Sequence, residues 1–294
     1  MNLVPRKAAR RLAFGLATVT GIAQRGFFIP SRSAPAAGEP GRRPPYAALE
    51  RLFTARETEF RAAIAEIERA SAMLAAIGKD PPPEPRWDQG WFPPLDAAAA
   101  YVMVRRLAPQ RIVEVGAGHS TRFLVRAARD AGLSTRMIAI DPAPRVALDG
   151  LGVELVRATM QEVDLSVFAA LAPGDVLFVD SSHILMPGSD VDHIVNRVWP
   201  MLPRRVVVHF HDIFLPDDYP ASWAWRGYNE QLAVAAMLSS GGAEIEFASH
   251  YVATRMRDAI KDTIVARVPR MEGAPESSLW LRKVSAKLGG AGGT

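Results

Sequence analysis

The chain contains no cysteine in 294 residues. Disulfides, zinc–thiolate sites and a cysteine nucleophile are therefore excluded, and a reducing, cytoplasmic setting is the expected one. It also has no apolar run approaching the roughly 20 residues that a membrane-crossing helix needs. The nearest candidate, Leu12 to Ile22, is short and interrupted by threonines and glycines, and no clean small-residue cleavage pattern follows it. A secretory signal is thus the weaker reading and an interfacial helix the stronger. Acid is nearly missing from residues 1–43, where eight Lys or Arg residues face Glu39 alone. That tail is read either as a peripheral contact with an anionic membrane or as a solubilising leader. Without aromatic interleaving, it offers no platform for nucleic acid.

What is present suits one enzyme-sized domain with extensions. A composition that is 49% hydrophobic supports a full core. The expected division is a basic tail over 1–43, a helical extension with a Pro/aromatic segment over 44–95, a catalytic domain over 96–284 and a disordered glycine-rich end over 285–294. In the extension, Leu49, Phe53, Phe60, Ile64, Ile67, Leu74 and Ile77 recur at helical spacing, predicting one long amphipathic helix from Tyr46 to Ile77. Packing on its own domain is favoured over a homodimer contact. The segment around Trp87, Trp91 and Phe92 is read as a lid, with Asp96 capping a helix from Ala97 to Leu107.

The most informative stretch is Arg111 to Thr121, Arg-Ile-Val-Glu-Val-Gly-Ala-Gly-His-Ser-Thr. Ile112, Val113 and Val115 predict a strand covered on both faces, and Gly116 and Gly118 a turn that lets a ligand approach the backbone. A helix follows from Ser120. A dinucleotide fingerprint would place a third glycine at position 121, where Thr121 stands, which disfavours an NAD-dependent oxidoreductase, the alternative enzyme class. Glu114 is read as a partner for a cationic ammonium group. Asp141 ends a second apolar run, where it can accept ribose hydroxyls, and Asp180 ends a third, so the three acids point into one crevice.

Four segments in order, Val113 to Thr121, Ile140-Asp141-Pro142, Leu177 to His183 and Val207 to Ile213, resemble the class I S-adenosylmethionine-dependent methyltransferases, in particular methyltransferase domain family 24. The likeness runs from about Trp87 to Lys283. It implies a doubly wound, Rossmann-like α/β fold: a seven-stranded, mostly parallel sheet with helices on both faces and a final antiparallel hairpin, here preceded by the N-terminal helical extension. It further implies that Glu114, Gly116, Gly118, Ser120 and Thr121 contact the methionine part of S-adenosylmethionine, that Asp141 holds the ribose and that Gln161 lies near the adenine, with Asp180 in the same site.

Chemistry is expected at the later strand ends, in Asp180-Ser181-Ser182-His183 and His209-Phe210-His211-Asp212. Methyl transfer needs alignment and a base, for which His183 is the first choice and His211 the second, with Asp212 beside them. A divalent metal on Asp180, His211 and Asp212 is the rival account, weakened for magnesium by the imidazole. His209 is expected to be turned away from His211 by strand alternation. The aromatic loop Phe214 to Tyr228 is read as a second pocket wall, in which Arg226 pairs with an anionic substrate or serves a surface or cofactor role. The expected reaction is O-methylation of a small molecule. A non-catalytic cofactor-binding module tethered by the tail is the alternative outside enzymology.

Overall fold

The computed structural model describes residues 6–39 and 41–287. Seven strands make one sheet: β1 (Arg111–Val115), β2 (Arg136–Ile140), β3 (Glu154–Val156), β4 (Val176–Val179), β5 (Val207–Phe210), β6 (Ala243–Ala248) and β7 (Leu279–Lys283). Their order is β3-β2-β1-β4-β5-β7-β6. The first five pair in parallel, and β7 runs antiparallel to both β5 and β6. Val176–Val179 is apolar throughout, and Val207–Phe210 is apolar apart from the buried His209, because both faces of these central strands are covered. The strand order reverses between β1 and β4, which opens a crevice at the carboxyl ends of the sheet. Gly116, Asp141, Asp180 and His211 follow β1, β2, β4 and β5 directly, so four short sequence segments deliver their side chains to this one edge.

Helix α1 (Arg6–Val19) precedes the extension, which differs from the single helix expected over 46–77. It is divided into α2 (Ala47–Thr54), α3 (Glu57–Arg69) and α4 (Ser71–Ala76). Phe53, Phe60, Ile67 and Leu74 are spaced by seven and are all fully buried. A straight α-helix drifts about 20° per seven residues, so an unbroken rod would carry this stripe off the surface it covers. The breaks at Ala55–Arg56 and Ala70 reset it. The Phe60 ring packs 5.8 Å from Phe247 and 5.9 Å from Tyr251, so the apolar stripe is covered by its own chain.

Helix α5 (Pro94–Leu107) starts earlier than expected, and Asp96 is not its cap. Glu276, from the approach to β7, accepts the amides of Leu95 and Asp96 at 3.1 and 3.0 Å and so caps the helix from a distant part of the chain. Asp96 is free to turn inward. It accepts the amides of Ser277 and Ser278, each at 3.0 Å, and the hydroxyl of Ser249. Helix α6 (His119–Asp130) follows the glycine turn.

At the C-terminal end the segment expected to be disordered from 285 is tied down at its start, where the Ser285 amide donates to Gly242. Residues 288–294 lie outside the described residues, as do 1–5 and 40 of the basic tail. No helix among the described residues is long and apolar enough to cross a membrane.

Candidate active site

The turn after β1 is built around two glycines with different duties. Gly116 has φ +84°, and a Cβ there would meet the Asp180 carbonyl oxygen at 2.0 Å, so the β1 and β4 ends can approach only if this residue is glycine. At Gly118 a Cβ would meet nothing within 4 Å. The open space beside it faces a cavity of about 520 Å³ that Gly116, Ser120, Asp141 and Asp180 also border. The amides of an α-helix N-terminus and this open backbone form a cradle of the kind a nucleoside cofactor's polar end occupies.

Glu114 sits under the turn. Its side chain is fully buried, and its two carboxylate oxygens accept the Ser120 and Thr121 hydroxyls, each at 2.6 Å. Thr121 in turn accepts the Gly118 amide at 2.8 Å. Both oxygens of the acid read above as an ammonium partner are thus engaged by hydroxyls of the turn, which it organises. Burial pushes its carboxyl up to about 8 against the two hydroxyl hydrogen bonds, and the charges of Asp180 and Asp141 add to the rise. Glu114 stands near the carboxyl end of β1, and Asp141 and Asp180 directly follow its two neighbours in the sheet, β2 and β4. Thr121, standing where a third glycine would be, is likewise buried and spends its hydroxyl on this knot.

Asp141 Oδ2 accepts the Ala117 amide at 2.8 Å and Oδ1 the Ala143 amide at 2.7 Å, which ties the β2 end to the glycine turn. Its remaining lone pairs lie at the junction of the first cavity and a second one of about 580 Å³, which Gly116 and Asp180 also share. Gln161 borders the second cavity, donating to the Gly188 carbonyl at 3.1 Å. His119 borders the first, and its Nδ1 is buried without a hydrogen-bond partner among the described residues. Burial, reinforced by Arg122 and Arg86, lowers that imidazole to about 4, so it is neutral. The cradle at Gly118, the hydroxyl-ready Asp141 and this orphaned nitrogen fit a polar nucleoside bound across both cavities.

On the far side of Asp180 two imidazoles meet four carboxylates. His183 Nδ1 is 2.9 Å from Glu230 Oε2, while its Nε2 lies 3.3 Å from Asp180 and 3.5 Å from Asp212. His211 Nδ1 is 3.3 Å from Asp212, and its Nε2 3.3 Å from Asp96. Burial lowers both imidazoles, but the surrounding acids outweigh it and hold each well above its ordinary value: Asp180, Glu230 and Asp212 for His183, and Asp212, Asp96 and Asp180 for His211. Burial alone would raise Asp212, yet His211, His183 and Arg226 bring it down to about 2, so it stays ionised. His183 (φ +61°) and Asp212 (φ +56°) both occupy the left-handed region. Non-glycine residues held there at a cleft are characteristic of sites where geometry is kept for function.

These distances bear on the metal reading and correct one expectation, that for His209. The residues proposed for a metal, Asp180, His211 and Asp212, pair with one another, and among the described residues no three His, Asp or Glu side chains are placed to hold an ion. His209 is not turned away from His211, because positions two apart in a strand share a face. Their rings lie 5.9 Å apart. His209 is nevertheless a core residue, stacked on Phe178 at 3.7 Å and bonded to Ser278 Oγ at 2.8 Å, and burial drives its imidazole well down.

The aromatic segments divide in the same way. Trp87 is a core residue, packed on Phe123 and donating to the Leu74 carbonyl. Phe92 and the exposed Trp91, which lies under Arg145, border the first cavity from one side, and Trp223 and Tyr228 border it from the other. Arg226 stacks on Trp223 with its guanidinium 3.8 Å from the ring centroid and reaches Asp212 at 3.6 Å.

Sequence reasoning missed Glu230, Asp96 and Glu276. The first was visible only as a polar residue in a helix (Glu230–Ser239), and the second as a helix cap. Nothing in local spacing signals the His183, Ser277 and Leu95 partners of these three acids, which lie 47 or more positions away.

Residues 113–213 match a family model described as a methyltransferase domain. No curated protein matches the chain. Solved structures resemble it distantly. A Podospora anserina methyltransferase bound to SAH is 14% identical, with 88% of this chain and 100% of that one covered and a TM-score of 0.42. The O-methyltransferase TomG from Streptomyces achromogenes is 16% identical, with 76% and 90% covered and a TM-score of 0.39. The branched-chain polyamine synthase from Thermus thermophilus is 17% identical, with 89% and 73% covered and a TM-score of 0.41.

Proposed function

We propose that this chain, which carries a class I, S-adenosylmethionine-dependent methyltransferase domain, methylates a hydroxyl of a small-molecule acceptor with His183 as the base. The observation that carries the reading is the direction of the His183 ring. Glu230 holds Nδ1, and Nε2 is left facing Asp180 and Asp212 in the cavity next to the glycine turn.

When bound, the cofactor would supply a sulfonium methyl as electrophile, its sulfur–carbon bond breaking to leave a neutral thioether. The residues around it align, shield and move one proton. Gly116 and Gly118 let the backbone close on the ligand, Asp141 accepts ribose hydroxyls and Gln161 stands beside the base-binding cavity. Trp91, Phe92, Trp223 and Tyr228 form two apolar walls for an acceptor with a flat or apolar face. The acceptor hydroxyl gives its proton to His183 Nε2 as the oxygen–carbon bond forms, and Glu230 stabilises the imidazolium. His211 Nε2 lies against the fully buried Asp96 and its Nδ1 against Asp212, which suits it to holding Asp212, whereas His183 Nε2 faces the cavity side, where Asp180 is 40% exposed.

Titration calorimetry with S-adenosylhomocysteine and single-turnover assays over a panel of phenols and aliphatic alcohols test the reading. His183→Ala should lower turnover by about 100-fold while leaving cofactor affinity within a few fold, in line with the usual worth of a general base. Unchanged turnover would remove His183 from the mechanism. No heat with the cofactor product would remove the whole assignment.

A further inference from the structure

Helix α1 stands apart from the domain. Its sequence holds four basic residues and no acid, and the residues from Ala8 to Leu16 are all exposed. Ala8, Leu12, Leu16 and Val19 recur at spacings of four and three, which stacks them on one side, while Arg10, Arg11 and Thr18 fall on the other. Leu12, Leu16 and Val19 are 64%, 56% and 59% exposed, and none of the described residues covers them. A second apolar group, Phe28 and Ile29, follows at 66% and 65% exposure. Burying the long side chains of an amphipathic helix against the protein body is the usual fate of such a stripe, and it is met by α2–α4 but not by α1.

The arm that carries this helix is joined to the site. Gln24 and Phe27 border the second cavity together with Gly116, Asp141 and Asp180. Further along, Gly41 and Arg43 donate to Asp218 at 2.8 Å, and Tyr46 donates to the Pro216 carbonyl, which pins the arm to the loop after β5. A Cβ at Gly41 would meet the Ala221 amide nitrogen at 2.3 Å, so the seat is made for glycine.

We infer that this arm docks the protein on an anionic phospholipid surface, with Leu12, Leu16 and Val19 immersed at the acyl boundary and the arginines at headgroup level. The charge argues for lipid over a second copy of the chain. The four basic residues of α1, with no acid beside them in the helix, would repel an identical helix, whereas each one near an anionic bilayer adds about fivefold to binding. An apolar stripe flanked by arginines is the composition of helices that lie in the interface plane. The attachment of the same arm to the cavity edge places the crevice beside the bilayer surface.

The test is co-sedimentation of the full chain with vesicles of phosphatidylcholine containing one-third phosphatidylglycerol, and with vesicles of phosphatidylcholine alone. Binding should be strong to the first, weak to the second and reduced by salt. Leu12→Glu/Leu16→Glu should weaken it at least tenfold, with S-adenosylhomocysteine affinity and thermal midpoint unchanged as evidence that the domain is intact. Equal sedimentation of wild type and variant, or none with either vesicle, would overturn the inference. So would an α1-dependent dimer in lipid-free solution that the variant abolishes. Because vesicle binding is read without turnover, its failure leaves the methyl-transfer reading standing, and the reverse also holds.

Discussion

Glu230 Oε2 lies 2.9 Å from His183 Nδ1, and the carboxylate has no exposed surface. The other Glu230 oxygen accepts the Ser181 hydroxyl at 3.0 Å, so the acid is held on both sides and the imidazole has one orientation. Helix Glu230–Ser239 thereby aims a ring that belongs to the loop after β4. The Asn229 and Glu230 amides both donate to the His183 carbonyl, at 3.0 and 3.2 Å, which locks the backbone of one segment to that of the other.

That relationship predicts a pH signature. His183 accepts a proton only when neutral, and its acidic neighbours hold the imidazole well above 6.5, so activity should rise with pH along a limb displaced to the alkaline side of free imidazole. Glu230→Gln removes one of the groups that raise it. The limb should then move toward acid by about one unit, while the rate plateau falls about tenfold from lost orientation. A limb that stays in place in Glu230→Gln would show that the pair does not govern the reaction.

The two glycines of the turn should separate folding from binding. Gly116→Ala forces a Cβ into the Asp180 carbonyl at a positive φ and should destabilise the protein by at least about 2 kcal/mol in urea titrations. Gly118→Ala meets no protein atom and has extended φ, so stability should hold within about 0.5 kcal/mol. Its cofactor affinity should nonetheless fall at least tenfold. Tight binding by Gly118→Ala would mean that the open space beside this residue is not the cofactor's.

Asp141→Ala should weaken S-adenosylhomocysteine by about tenfold to 100-fold, the worth of hydrogen bonds to a charged group. The side chain also ties Ala117 to Ala143 across the turn, so a structural loss must be separated from a contact loss. Adenosine and methionine, titrated separately, do this: the adenosine signal should drop and the methionine signal should persist. Equal loss of both would assign Asp141 to the turn instead of the ribose.

Asp96→Ala should be among the most damaging substitutions outside the hydrophobic core. The carboxylate is fully buried, receives two amides and a hydroxyl, and faces His211 Nε2. Removing one member of such a buried charged set costs about 3–5 kcal/mol, measurable by urea unfolding. Since Asp96 supports His211, the surviving protein should also lose turnover. A cost below about 1 kcal/mol would show that the pair contributes nothing to stability.

The periodic and chiral parts of this protein were legible in its residues. Strands β1, β2, β4 and β5 announce themselves as mostly apolar runs followed within two residues by Gly or Asp, because a strand covered on both faces buries nearly every side chain; Glu114 and His209 are polar exceptions within the runs, and each finds a buried partner. The glycine turn is equally readable, since positive φ and close approach leave few residue choices. Less legible was the extension, where the spacing of Phe53, Phe60, Ile67 and Leu74 shows the buried stripe but not the breaks that keep it in place. The reading of His209 failed on geometry that the sequence does contain, since two residues separated by one along a strand share a side. Glu114 was recognised as special, but its two hydroxyl partners close over it from α6.

By itself, then, the chain's residue order determined which segments become buried strands and which turn keeps its backbone open beside the cavity, because hydrophobic period and glycine geometry act over a few residues. Only the tertiary structure decided that Glu276 caps α5, that Asp96 turns inward to His211 and that Glu230 orients His183. Each of these is a buried carboxylate satisfied by a donor far away in the chain. A buried charge takes whatever partner the packed fold brings within about 3 Å, and no local rule of spacing records that choice.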